Sequence, residues 1–282
     1  MSAGASASAS ISIETGSFDL PDGGQIAYQT SGRASGGPPV LLIRPLGGSM
    51  ALWGPFRAAL ASTHRIIAFD HRGSGRSSAA PLYTTTATLA RDGLRLLDHL
   101  GVDRAQVFGI SLGGMVATWV ALIAPSRVTR LCLAATPARG LALSRAGLGR
   151  GLSLAACLAR PIDEMEACMI HRILSRRFRD EHVAEVREIE RRASEAPTSR
   201  AGLVQLALAG ALHDTRRYLA RIHAPTLVLA GDHDALLGTE APRALAAAIP
   251  GAELAIVAES GHDLTLEQPV ATAARVAAFF DR

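Results

Sequence analysis

Three side chains far apart in this 282-residue chain could share one proton-transfer reaction: Ser111, Asp234 and His262. Ser111 lies in Gly109-Ile-Ser-Leu-Gly113, after the apolar run Gln106 to Phe108 and before a helix-like segment from Met115 to Ala124. A strand, a tight turn and a helix with serine at the apex make a nucleophile elbow. The hydroxyl then projects above a helix N-terminus whose N–H groups can face a developing oxyanion. Gly109 and Gly113 keep Cβ atoms out of the crowded turn. The five-residue pattern is weak alone, since with 27 glycines in the chain chance supplies roughly 0.2 matches. The flanking strand and helix, and the available partners, give it weight.

His262, in Glu259-Ser-Gly-His-Asp-Leu264, follows the last expected strand, so its loop emerges at the same carboxyl edge as Ser111. Asp234, in Gly231-Asp-His-Asp234, follows the strand ending at Ala230 and can orient such a base. Asp232 falls nearer the strand end and is better placed to brace the turn. Asp263 would have to fold back on its own neighbour. A second oxyanion donor is expected from Arg44-Pro-Leu-Gly-Gly-Ser-Met-Ala-Leu-Trp53. Pro45 has no N–H to give, so the donors are expected to be the amides of Leu46 and Leu112. The candidate substrate-binding residues are Arg44, Gly47 and Trp53 on the same loop, with Gly47 leaving room for the substrate. Arg44 has two readings: its guanidinium binds a substrate carboxylate at the pocket rim, or it forms a structural ion pair, for instance with Asp70.

The elements that must position these groups follow from pattern. Ser12 to Leu20 and Gln25 to Thr30 read as two strands joined at the turn Pro21-Asp-Gly-Gly24. Val40 to Ile43 and Arg65 to Phe69 are buried-strand runs separated by a helix from Ala51 to Ala61. An amphipathic helix from Leu89 to Leu100 ends at Gly101. The elbow strand and its helix, then Val128 to Leu133, continue the alternation that argues for βαβ units and a parallel sheet. From Pro137 to about His223 the pattern is helical, clearest over Glu164 to Arg179 and Glu181 to Arg192. It returns to strand at Pro225 to Ala230, helix at Thr239 to Ala248, strand at Ala252 to Val257 and helix at Gln268 to Phe280. The expected organisation is a flexible tail at 1–15, a core at 16–137 and 224–282, and a helical cap at 138–223 inserted after the sixth strand. Such an insertion is too long for an ordinary connection.

Composition sets the limits. Hydrophobic residues make up 48% of the chain, yet no uninterrupted apolar run is long enough for a membrane span. The small-residue start, Met1 to Ser10, lacks the basic and apolar parts of a secretion signal, so a cytoplasmic protein is expected. Cys132, Cys157 and Cys168 have no metal spacing and read as thiols in a reducing compartment. The net charge of +4 comes wholly from arginine, and with 4% aromatic residues there is no basic, aromatic stripe for nucleic acid. The implied partner is a small molecule, on a monomer or homodimer. No metal or organic cofactor is implied.

Taken together, Gly109-Ile-Ser-Leu-Gly113, Asp70-His-Arg-Gly-Ser-Gly-Arg-Ser77, Gly231-Asp-His-Asp234 and Ser260-Gly-His262 resemble the α/β-hydrolase superfamily, over essentially the whole chain after residue 16. The stretches Gly109 to Val116 and His262 to Pro269 are most similar to 3-oxoadipate enol-lactonases and neighbouring esterases and lactonases. The resemblance implies a mostly parallel eight-stranded sheet flanked by helices, with the triad in the order Ser111, Asp234, His262 and a structural turn at Asp70 to Ser77. It implies ester or lactone hydrolysis of a small, largely apolar substrate, one that could bear a carboxylate, through an acyl-enzyme on Ser111. The same fold also serves carbon–carbon bond hydrolysis, cyclase or cofactor-free oxygenase chemistry with His262 as base, and plain binding. Two features depart from the family pattern. Arg44-Pro45 stands where most relatives have His-Gly, and Ala138 to Ser144 lacks the tryptophan of the enol-lactonases, so that subfamily's substrate does not transfer.

Overall fold

The computed structural model describes residues 12–32, 37–79, 81, 83–140 and 156–282. Residues 1–11 of the expected tail and the 141–155 part of the expected cap lie outside them. Eight strands form one sheet: β1 (Ile13–Asp19), β2 (Gln25–Ser31), β3 (Val40–Ile43), β4 (Ile66–Phe69), β5 (Ala105–Ile110), β6 (Val128–Ala134), β7 (Thr226–Gly231) and β8 (Glu253–Val257), in the order β1-β2-β4-β3-β5-β6-β7-β8. β1 and β2 form an antiparallel hairpin whose far edge pairs antiparallel with β4; every pairing from β4 to β8 is parallel. β1 begins inside the stretch expected as tail.

Both faces of the sheet are covered, which is why its inner strands read as continuous apolar runs instead of alternating ones. Successive side chains of a strand point to opposite faces. Leu41 and Ile43 pack with α2 (Thr86–His99) and α3 (Leu112–Ile123), whereas Val40 and Leu42 pack with α1 (Gly54–Ala61) and the C-terminal helix. Thr85 starts α2 ahead of its apolar stripe by accepting the Thr88 amide, one of the N–H groups that a first turn leaves unpaired.

Between β6 and β7 the structure describes a short helical turn at 156–158 and then α4 (Ile162–Ile173), α5 (Arg176–Glu181), α6 (Val183–Ser194) and α7 (Arg200–Ala211). The helix expected from Glu164 to Arg179 is broken: Ser175 caps α5 by accepting the Phe178 amide and sends its own N–H to Glu267. The helix expected from Ala51 is a 3₁₀ turn, Met50–Trp53, followed by α1, because Gly54 takes a positive φ of 32° and Pro55 cannot donate. After β7 come α8 (Glu240–Ala248), β8, α9 (Leu264–Glu267) and α10 (Pro269–Phe280). Cys157 and Cys168 form a disulfide, which corrects the expectation of free thiols; Cys132 is the free, buried one. Among the described residues, no helix is long and apolar enough to cross a membrane.

Candidate active site

Ser111 stands between β5 and α3 with φ 54° and ψ −119°, a conformation that a non-glycine residue holds only where its surroundings enforce it. The enforcement is steric. A Cβ at residue 109 would lie 2.2 Å from the Gly113 carbonyl oxygen, and one at residue 113 would lie 2.1 Å from that of Ile43. Only glycine lets β5, α3 and β3 close so tightly. Hydrogen bonds fix the apex as well: Ser111 N–H donates to Ala134 O at 2.9 Å, and Thr136 Oγ1 donates to Ser111 O at 2.7 Å. α3 therefore begins at Leu112, directly behind the hydroxyl, and not at Met115.

The loops after β7 and β8 bring two more groups to this apex. His262 Nε2 lies 2.8 Å from Ser111 Oγ, and His262 Nδ1 lies 2.8 Å from Asp234 Oδ2. The other Asp234 oxygen accepts the Leu236 and Leu237 amides at 2.9 and 2.8 Å, so the carboxylate is held from both sides. Asp232 is elsewhere, accepting the Ser260 amide at 3.3 Å and bracing the turn. Burial pushes the Asp234 carboxyl up, but the charge and hydrogen bond of His262 outweigh it and hold it below its usual value. Burial likewise disfavours the imidazolium. The Asp234 charge and hydrogen bond, then Asp263 and Glu267, win and place His262 above its usual 6.5.

The histidine loop is clamped by partners that sequence reasoning missed. Ile173 O, at the end of α4, accepts the His262 and Asp263 amides at 3.0 and 3.2 Å. The buried Glu267 carboxylate accepts Ser175 N–H at 2.6 Å, Ser175 Oγ–H at 2.7 Å and Gly261 N–H at 3.0 Å. Glu267, the last residue of α9, lies within the His262 to Pro269 stretch that carries the family resemblance, but nothing in the sequence marks it as buried.

Ser111 and His262 open onto a chamber of about 380 Å³. Leu46 and Leu112 line it beside the serine, and it is roofed by Leu158, Met169 of α4 and Leu203, Leu206 and Gly210 of α7. Ser111 and His262 are the only polar residues among the described lining. The three residues expected to bind substrate do not reach it. Trp53 is wholly buried, packed on Phe56 and Phe108. Gly47 and Arg44 border a separate gap of about 30 Å³ between the loop after β3 and helices α4, α6 and α7. Arg44 is ion-paired as its second reading held, but with Asp263 at 3.0 Å; the carboxylate of Asp70 accepts the Met50 and Arg76 amides instead, at 2.7 and 2.9 Å. The rest of the Asp70 to Ser77 turn is held by Arg72, forked onto Asp92 with two bonds of 2.6 Å. No group of three or more potential metal ligands occurs among the described residues.

The alternating strand–helix core is matched by known proteins. Residues 38–150 match the family model described as alpha/beta hydrolase fold. The chain is 32% identical over 236 residues to a protein named as a carbamate hydrolase in Azorhizobium caulinodans, covering 83% of this chain and 87% of that one. It is 30% identical over 199 residues to 3-oxoadipate enol-lactonase 1 of Acinetobacter baylyi, covering 70% and 71%. A hydrolase structure from Pseudomonas aeruginosa superimposes with a TM-score of 0.83 at 32% identity, over 98% of this chain and 100% of that one.

Proposed function

Because the chain belongs to the α/β-hydrolase family, we propose that it is a serine hydrolase that cleaves an ester or lactone with a small, apolar acyl part through an acyl-enzyme on Ser111. The observation that carries the reading is the unbroken line Ser111 Oγ, His262 Nε2, His262 Nδ1, Asp234 Oδ2, with both links at 2.8 Å, at the floor of the apolar chamber. His262 takes the hydroxyl proton as Ser111 attacks the carbonyl carbon. Asp234 fixes the tautomer and stabilises the imidazolium that results. The Leu46 and Leu112 amides receive the oxyanion: Leu112 opens α3, where a helix leaves its first N–H groups unpaired. His262 then passes the proton to the leaving oxygen, and a water attacks the acyl-enzyme by the same route.

The lining supports the substrate class. A carboxylate inside the chamber would meet leucine and methionine and would have to shed its hydration without a counter-charge among the described residues. A neutral alkyl or cyclic acyl group gains by the burial of its apolar surface, at about 25 cal/mol per Å². The carbamate hydrolase and enol-lactonase named among the relatives both act, by their names, at an acyl carbon. The described helices α4 and α7 serve as part of a cap over the chamber.

The test is a series of p-nitrophenyl esters and lactones graded in length, each with and without a terminal carboxylate, with Ser111→Ala as control. Neutral acyl groups should turn over faster than their acidic counterparts, and Ser111→Ala should lower kcat by about 10⁴–10⁶-fold. Preference for the acidic series, or a Ser111→Ala protein with most of its activity, would reject the reading.

A further inference from the structure

Arg44 occupies an unusual place for a cation. Its guanidinium is 1% exposed and lies 4.6 Å over the Trp53 ring. Nη2 donates to Asp263 Oδ2 at 3.0 Å and Nη1 to Thr265 Oγ1 at 3.2 Å, while Nε has no hydrogen-bond partner among the described residues. Asp263 is likewise buried, and its second oxygen accepts the Thr265 N–H at 3.2 Å and the Thr265 hydroxyl at 2.5 Å. Two charges taken out of water in this way gain little net stability over apolar side chains of similar volume. Their location is more telling. Asp263 is the neighbour of the base, and Arg44 is two residues from the oxyanion candidate Leu46.

We propose that Arg44 is a positioning residue for the acyl transfer: through Asp263 it pins the histidine loop to the oxyanion loop, and it cancels a negative charge that would otherwise stand beside the imidazole. The inference rests on the reading of His262 as general base. The charged groups around that base are few. Asp234 faces it from the β7 loop, and Asp263 and Glu267 come from its own loop and α9. Arg44, with Asp70 behind it, faces Asp263 from the loops after β3 and β4. The cap contributes the Ile173 carbonyl and Ser175 to this loop, and Arg177 of α5 pairs with Glu259 at its exposed start. Without Arg44, the Thr265 N–H and hydroxyl still donate to Asp263, but its charge is no longer offset by a cation. The imidazolium is then favoured and less neutral base is present at a given pH.

The experiment is kcat/KM against pH on one p-nitrophenyl ester for wild type, Arg44→Met, Arg44→Lys, Asp263→Asn and the double variant Arg44→Met/Asp263→Asn. Arg44→Met should move the acid limb up by roughly one pH unit, and Asp263→Asn should move it down. Arg44→Lys, which keeps the charge, should leave the limb in place while lowering kcat. The double variant should lose the upward shift yet keep the low kcat of an unpinned loop. A merely structural pair would give the same limb in every variant, and that result overturns the proposal. If Arg44→Met does not fold, the downward shift of Asp263→Asn beside an unmoved Arg44→Lys is the expected result, and an unmoved Asp263→Asn rejects it. Ser111→Ala separates the two levels. Turnover that survives it defeats the reading of the site, whereas turnover lost with coincident limbs defeats only the role of Arg44.

Discussion

At Ser111 the backbone strain and the hydrogen bond to His262 serve the same end. The positive φ lifts the hydroxyl clear of α3, and the imidazole meets it at 2.8 Å. The proposed reaction needs that imidazole neutral. Burial opposes its proton, but Asp234, Asp263 and Glu267 favour it more strongly, so the folded-state pKa lies above 6.5. The wild-type kcat/KM should therefore rise with pH along an acid limb whose midpoint lies above 6.5, and a midpoint below that value would contradict the electrostatic account. The serine, aspartate and histidine are legible in the sequence because each follows a strand whose apolar run is unmistakable. Arg44 is ambiguous there because its partner, Asp263, is 219 residues away. Nothing local separates a guanidinium facing a substrate from one facing a buried carboxylate. The same holds for Trp53, whose place in the core depends on Phe108 of a distant strand.

The helices between β6 and β7 are joined to the histidine loop by hydrogen bonds. The end of α4 supplies the Ile173 carbonyl to the His262 amide, so a helix that roofs the chamber also holds the histidine loop, and Ser175 at the start of α5 adds two donors to Glu267. The Cys157–Cys168 bond acts on the same roof, since Leu158 and Met169, the neighbours of the two cysteines, line the chamber. A disulfide between residues 11 apart in sequence closes a short loop. In the chain-entropy account its loss costs about 2–3 kcal/mol. The double variant Cys157→Ser/Cys168→Ser should accordingly unfold at lower urea concentration and show a raised KM with Ser111 still reactive. Unchanged KM and stability would remove the bond from the account. Three sparse cysteines pointed to a reducing compartment. A bonded pair belongs to the opposite chemistry, so that argument for a cytoplasmic location loses its support. The helices of this segment were only partly legible. α4 and α6 show charged outer faces, but α7 is apolar around its circumference, with Leu203 and Leu206 turned inward and Val204 and Leu208 exposed, so no stripe marks it.

Across the whole molecule, one sheet edge does the assembling. Strands β5, β7 and β8 run parallel, so their carboxyl ends deliver Ser111, Asp234 and His262 to one rim although the three are separated by up to 151 residues. Ligand sites in open α/β sheets lie at that edge for the same reason. The sheet was readable because its inner strands are apolar on both faces. The seat of α4 and α5 on the histidine loop was not, because it depends on the Ile173 carbonyl and on a Glu267 carboxylate 92 residues from its partner Ser175. The central claim is that Ser111 is the activated nucleophile. Mass spectrometry of protein treated with a fluorophosphonate tests it most directly. The account predicts one phosphonyl adduct, on the peptide carrying Ser111, with its loss in step with esterase activity when His262 is replaced by alanine. Catalytically active protein that carries no adduct, or an adduct on another residue, would contradict it.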